Sequence, residues 1–284
     1  MLPALAVAAQ VTLAGHPLAG RIWDVARARF VAVSTLEEAV AAADVALLGE
    51  THDTPVHHEL PARLLRMLVE RGKQPTLALE QVDTENQPAL EAARAAGAES
   101  PAALAKAAKV SSSWRWSFYE PLVALALAHR LPIVGVNLSR QRAREGLPEA
   151  EAKRLALDDA WSRERGASLR TLLVESHCGD DSPYIDRMVE MQRARDAVMA
   201  DRMAAAGPPV VAIVGRGHAR ADLGIPLYLR HRFPKLAVLS LALVEVTATS
   251  QEVSQYPEAA RGRHDFVWFT PRAVRDDPCA PRSR

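Results

Sequence analysis

Between Val45 and Leu60 the chain reads VALLGETHDTPVHHEL, an apolar run and a glycine followed by His52, His57, His58 and the acids Glu50, Asp53 and Glu59. Imidazoles and carboxylates at this density transfer protons, pair as ions or ligate metals. Three more apolar runs end in the same way. TLALE (76–80) closes on Glu80, PIVGVN (132–137) closes on Asn137, and VVAIVG (210–215) leads into GRGH, with Arg216 and His218. Such runs suit strands buried on both faces of a parallel sheet, whose ligands collect at the carboxyl ends. One polar residue after one strand is ordinary. Four in four point to a single site assembled from distant segments, the alternative being helix caps and turn residues.

The elements that must position these groups follow from the pattern. Helical stretches separate the four runs, so the expected fold is α/β, a mainly parallel central sheet flanked by helices, with a helical excursion. KLAVLSLALVEV (235–246) and DFVWFT (265–270) add later strands, and Ala-rich 89–108 reads as helix. After Pro55, Val56, Leu60, Leu64 and Met67 share one helical face. His57 lies at the edge of that face and leans towards the sheet, whereas His58 points away, towards solvent unless a ligand or partner covers it. In SPYIDRMVEMQRARDAVMADRM, Ile185, Met188, Val189, Met199 and Met203 form a stripe that Gln192 and Asp196 interrupt. Polar groups there are either paired in a structural network or line the site. The methionines read as packing rather than as iron ligands.

Length and composition set the bounds. The 284 residues are 49% hydrophobic, enough for one large α/β domain or two small ones. The 35 basic and 34 acidic residues are interspersed, and the basic runs lack interleaved aromatics, which argues against a nucleic-acid surface. MLPALAVAAQ resembles the end of a secretory signal, so residues 1–10 are expected to be a signal-peptide remnant, with a plain N-terminal strand or tail as the alternative. Cys178 and Cys279 form no two-pair zinc spacing, and could bridge in an oxidising compartment.

LLGETHDTPVHHEL, ALEQVD, WRWSFYEPL, PIVGVNLSR, SHCG, MVEMQRARDAVMA, GRGHARADLGIPLYL and the late WFT…DPCA occur in this order. Together they resemble the ChaN-like haem-binding proteins of bacterial haem uptake, within the superfamily that includes Tiki proteases and erythromycin esterases. The resemblance covers about Gly20 to Cys279 and implies a single haem-binding domain over 20–280, with haem near the strand ends and a homodimer around it. It further implies partners in the haem-uptake machinery and a periplasmic or outer-membrane-associated location, with the cytoplasm as the alternative. No lipid-acceptor cysteine stands near the start, which puts outer-membrane anchoring in doubt.

Haem needs an axial ligand and apolar walls. Trp114, Trp116, Phe118 and Tyr119 fall within six positions of a chain with 5% aromatic residues. Tyr119, His57 or His58 is expected to reach the iron, with Trp114 and Trp116 as walls or as ordinary loop anchors. Arg115 and Arg216 are expected to face the propionates or to be plain surface arginines. Glu50, His52, Glu80 and His218 are expected as a buried polar floor.

The wider superfamily implies a competing reading on the same residues. Gly49–His52, Gly215–His218 and Glu80 match its hydrolytic motifs, and a divalent metal held by His52, His218 and Glu50 or Glu80 would activate water. His177 joins the candidate metal ligands, and beside Cys178 it also allows a thiol nucleophile, though nothing nearby reads as an oxyanion hole.

Overall fold

Alternate residues along each central strand belong to different cores, which is how the chain buries a sheet on both faces. Ala46 and Leu48, Leu77 and Leu79, and Val211 and Ile213 enter one cluster. Val45 and Leu47, Ala78, and Val210, Ala212 and Val214 enter the other. Burying each leucine in full contributes about 2–3 kcal/mol.

The computed structural model describes residues 11–276 and Cys279, so the expected signal remnant at 1–10 lies outside the described residues. The strands are β1 (Val11–Thr12), β2 (Ile22–Asp24), β3 (Arg29–Val31), β4 (Val45–Glu50), β5 (Thr76–Asp83), β6 (Ile133–Asn137), β7 (Val210–Gly215), β8 (Val238–Glu245), β9 (Phe266–Thr270) and β10 (Arg272–Ala273). The helices are α1 (Val33–Ala42), α2 (Val56–Glu70), α3 (Gln87–Ala95), α4 (Pro101–Ala107), α5 (Trp116–Ala128), α6 (Arg140–Glu145), α7 (Glu149–Arg154), α8 (Arg163–Ser176), α9 (Tyr184–Ala206) and α10 (Ile225–Arg232).

Eight strands form one sheet in the order β3-β2-β9-β8-β4-β7-β5-β6. From β9 to β6 every pairing is parallel. The β2–β3 hairpin closes the other edge in antiparallel pairing, and β1 and β10 form a separate ribbon. The expected α/β fold with a mainly parallel sheet is what the chain adopts. The chain passes from β4 to β5 over a gap that β7 later fills, so β4 lies between strands reached by later crossovers. Such reversals of strand order leave room for a ligand at the carboxyl edge.

One strand runs further than its apolar pattern implies. β5 continues past Glu80 to Asp83, with a register irregularity between Leu79 and Asp83. Four residues of β5 here span two of β6, and such extra residues in a ladder bend the strand and re-aim its side chains. Across from it, a Cβ on Gly135 would lie 2.4 Å from Val82 Cγ1, so only glycine lets β6 approach the bulge.

Helices α1 to α5 cover one face and α6, α9 and α10 the other. Met191, Met199 and Met203 are buried in the second core. The α8–α9 pair is the helical excursion, and Cys178 in its connecting loop is bridged to Cys279. Among the described residues no helix is long and apolar enough to cross a membrane.

Candidate functional site at the strand ends

The register places Glu50 of β4 opposite Gly215 of β7, while Leu79 of β5 stands opposite Ile213. Glu50, Glu80 and the Gly215–His218 turn therefore meet at one edge of the sheet. The backbone locks them there: Arg216 N–H donates to the Glu50 carbonyl at 2.8 Å, and Gly215 N–H donates to Glu80 Oε2 at 2.6 Å. Asn137 ends the neighbouring strand at the same edge.

Around Glu50 the groups are tightly paired. Tyr119 OH donates to Glu50 Oε1 at 2.7 Å, and His52 Nδ1 lies 2.9 Å from the same oxygen. His58 Nε2 lies 3.0 Å from Glu50 Oε2. Burial and the two carboxylates Glu50 and Glu80 all push the Tyr119 phenol far up, so it stays protonated. Burial works against charge on His52, but Glu50, Glu80 and Asp53 outweigh it and push the imidazole up to about 9. His58 is held below its ordinary value by burial, against the pull of Glu50.

His218 organises the other half. Its Nδ1 donates to Asp196 Oδ1 at 2.6 Å, the Gln192 amide lies 2.9 Å from the same nitrogen, and its Nε2 lies 3.5 Å from Glu80 Oε1. Burial pushes Asp196 up to about 6, while His218 pulls it down. Burial disfavours charge on His218, yet Asp196 and Glu80 hold it above its ordinary value. Burial also opposes the ionisation of Glu80, but His218, His52 and the Gly215 N–H draw it down. Gln192 and Asp196, the polar residues interrupting the α9 stripe, are thus paired and also part of this cluster.

The expected division into a buried floor and outward ligands is reversed at several residues. His52 belongs to the outside: its side chain is 43% exposed and its ring stands edge-on to Trp114 at 4.8 Å. Its Gly215 neighbour has no Cβ, which would come within 3.0 Å of His52 Nε2. His57, His58 and Tyr119 are inside. Thr51 N–H donates to His57 Nδ1 at 2.9 Å and His57 Nε2–H donates to Thr270 Oγ1 at 2.9 Å, so the ring ties α2 to the end of β9. Burial, with Arg216, His58 and Arg275 nearby, keeps His57 neutral. His58 is buried rather than solvated, its ring 4.6 Å from Tyr119 and 5.1 Å from Phe118. The physical reason is that α5 packs over the first turn of α2, covering a side of the helix that its own periodicity marks as outer.

The aromatic segment divides likewise. Trp116 Nε1–H donates to the Pro101 carbonyl at 3.2 Å and its ring stacks on Tyr119, anchoring α5 to α4. Trp114 is the half-buried aromatic against His52. Arg115 is exposed and has no ion pair among the described residues, whereas Arg216 pairs with Glu258 at 3.2 Å.

The divalent-metal expectation finds no support. Among the described residues no group of three histidine, cysteine or acidic side chains is arranged to hold a metal ion. The nitrogens and carboxylates of His52, His218, Glu50 and Glu80 are turned on one another and on Tyr119, Asp196 and Gly215 instead. His177 does not join them. It ends α8 in an exposed position, its Nδ1 donating to the Leu173 carbonyl at 2.8 Å. Its neighbour Cys178 is in the disulfide, which removes the thiol nucleophile.

One candidate escapes the sequence pattern. Helix α9 runs down from its Asp196 contact to the amino end of β7, so its first turns rise beyond the strand ends. Tyr184 opens that helix and is 44% exposed, while Tyr119, Tyr228 and Tyr256 are buried. A lone tyrosine beside a serine and a proline gives no signal beyond its place at a helix start. Buried polar atoms also gather at this edge without a hydrogen-bond partner among the described residues: Glu50 Oε2, both amide atoms of Gln81, Asn137 Oδ1 and His58 Nδ1. Such atoms are rare in native interiors and mark places where a further group can bind.

Comparison with known proteins assigns the fold. The chain is similar to a structure of cofacial haem binding to ChaN of Campylobacter jejuni, at 22% identity and a TM-score of 0.73, over 87% of this chain and 95% of that one. It also resembles an erythromycin esterase, EreC, in its open conformation, at 14% identity and a TM-score of 0.50, over 87% and 95% of the two chains. No curated protein matches the sequence. Residues 36–229 match the family model for haem-binding uptake proteins, Tiki superfamily, ChaN, and the chain belongs to that family.

Proposed function

We propose that this protein binds haem at the carboxyl edge of its parallel sheet and passes it on in bacterial haem uptake. The observation that carries the reading is His52, an exposed imidazole packed on Trp114 above buried carboxylates, in a chain of a haem-binding uptake family. Bound haem supplies an iron centre and two carboxylates. His52 is cationic at neutral pH and, with the unpaired Arg115, suits the propionates. Trp114 offers an apolar wall.

The fit to iron depends on which ligating groups are free. Tyr119, His57 and His58 are spent inside the fold, the core methionines are buried, and the cysteines are bridged. On the excursion, Tyr184 is exposed, and His177 keeps Nε2 free because Nδ1 is bonded to Leu173. These two are the proposed axial ligands. A phenolate from Tyr184 would favour ferric iron, which suits carriage rather than oxygen activation.

A haem held at such an open edge keeps surface exposed, which supports a homodimer closing over it; the similar Campylobacter protein binds haem cofacially. The Cys178–Cys279 bridge supports an oxidising compartment, and we place the protein in the periplasm. Haem-uptake proteins are the proposed donors and acceptors.

Hemin titration of the full-length protein tests the site. A saturable Soret band is expected. Tyr184→Phe or His177→Ala should shift its position, and His52→Ala should weaken binding without moving it. No saturation, or three variants indistinguishable from the parent, overturns the proposal. The hydrolase reading keeps one observation in its favour, since His218 is backed by Asp196 and Glu80 as a general acid–base imidazole would be. Ester cleavage by hemin-free protein that His218→Ala abolishes would establish it.

A further inference from the structure

A cavity lies away from the strand-end cluster and shares no residue with it. It has a volume of about 680 Å³ and sits between the β2–β3 hairpin and the crossover from β8 to β9. That is within the range of small-molecule pockets. Its walls include Trp23, Phe30 and Tyr256. Trp23 and Phe30 meet edge-to-face at 4.9 Å. Tyr256 is fixed in place, its OH accepting from Thr247 N–H at 3.0 Å and donating to the Ser250 carbonyl at 2.8 Å. The aromatic surface is therefore ordered before anything binds, which lowers the cost of binding.

The charge at this cavity is net positive. Arg21 and Arg261 both line it, and among the described residues neither has a carboxylate within ion-pair distance. The Arg21 guanidinium stacks on Phe30, 3.3 Å from the ring centroid, which orients its donors without using them. Glu252 is the one acid in the lining, and its carboxylate is taken by the backbone N–H of Gln255 in a capping box. A preordered aromatic wall beside two unpaired guanidiniums selects a ligand with a flat apolar body and an anionic end.

We infer that this cavity is a binding site for an aromatic carboxylate, independent of iron and separate from the proposed haem site. Pyrenebutanoate is a suitable probe, because tryptophan emission overlaps pyrene absorption and Trp23 lines the cavity. Added to the full-length protein, it should bind saturably at one equivalent, with energy transfer from tryptophan. Pyrenebutanol, which lacks the charge, should bind about a hundredfold more weakly, given about tenfold for each guanidinium. Arg21→Gln and Arg261→Gln should each weaken the acid about tenfold and leave the alcohol unchanged. Trp23→Phe should lower the energy transfer, Trp268 on the neighbouring strand remaining as a donor, while pyrene anisotropy still reports binding. Equal affinity for acid and alcohol, an unchanged Arg21→Gln/Arg261→Gln double variant, or binding without saturation each overturns the site. Hemin titration of the same variants keeps the two proposals distinct, since these arginines lie outside the strand-end cluster.

Discussion

Replacing Tyr119 with phenylalanine removes one oxygen from a ring that is 0% exposed and donates at 2.7 Å to Glu50. A hydrogen bond to a charged acceptor contributes about 1.5–3 kcal/mol. Glu50 keeps His52 at 2.9 Å and His58 at 3.0 Å, so its carboxylate is not stranded and the cost falls at the low end, about 1.5–2 kcal/mol. With a urea dependence of about 3 kcal/mol per molar for a chain of this size, the unfolding midpoint should drop by roughly 0.5–0.7 M. Glu50 then leans harder on His52, so the imidazole should titrate above its value of about 9 in a histidine NMR titration. Hemin affinity and Soret position should not move, because the phenol is a donor within the floor. A Soret band that shifts or disappears while the midpoint stays fixed would refute this reasoning and make Tyr119 the iron ligand.

Asp196→Asn leaves His218 buried with half its compensation, and breaking such a pair costs about 3–5 kcal/mol. Chemical denaturation should show it, and NMR should show His218 titrating lower than in the parent. Burial, helped by Arg216, Arg220 and Arg263, pushes His264 down to about 3. Its stabilising effect is complete above the unfolded value near 6.5 and is lost as pH falls towards 3, by about 4–5 kcal/mol in all. The urea midpoint should therefore fall from pH 6.5 to pH 4, less steeply in His264→Gln. The Cys178–Cys279 bridge closes a sequence separation of 101 residues, and its reduction should cost about 2–4 kcal/mol. Denatured, unreduced protein should show no reactive thiol by colorimetric titration.

The strand ends are legible in the sequence because a doubly buried strand must be apolar throughout, so Glu50, Glu80 and His218 stand out where the run stops. Gln192 and Asp196 are legible for the converse reason, as polar groups in a stripe that should be apolar. What periodicity cannot show is which neighbour covers a helix. The outer side of α2 is outer only until α5 packs on it, and that contact buries His58. The exposure of His52 depends on the Gly215 turn that passes beneath its ring, a long-range contact with no local signature. The β5 bulge and the short β2–β3 hairpin are hidden for similar reasons: two inserted residues and three-residue strands leave almost no pattern.

The reversal of inner and outer residues bears on what the edge can bind. A small cation needs several carboxylates or neutral imidazoles with lone pairs free. Here Tyr119, His52, the Gly215 N–H and His218 take most of the acceptor positions of Glu50, Glu80 and Asp196, and Glu50 Oε2 has only His58 Nε2 near it, at 3.0 Å. The carboxylates around them hold both His52 and His218 above the ordinary imidazole value, and the Nδ1 atoms of both rings face Glu50 and Asp196. The face shown to solvent is thus a cation on an aromatic ring, with Arg115 nearby in the chain. Such a surface attracts an anion with a flat apolar body rather than a bare metal ion. Iron ligation by His52 itself would require loss of a proton that Glu50 and Glu80 help to hold. We therefore propose His52 for the propionates, and for the iron Tyr184 and His177, which are exposed on the excursion and outside the carboxylate cluster.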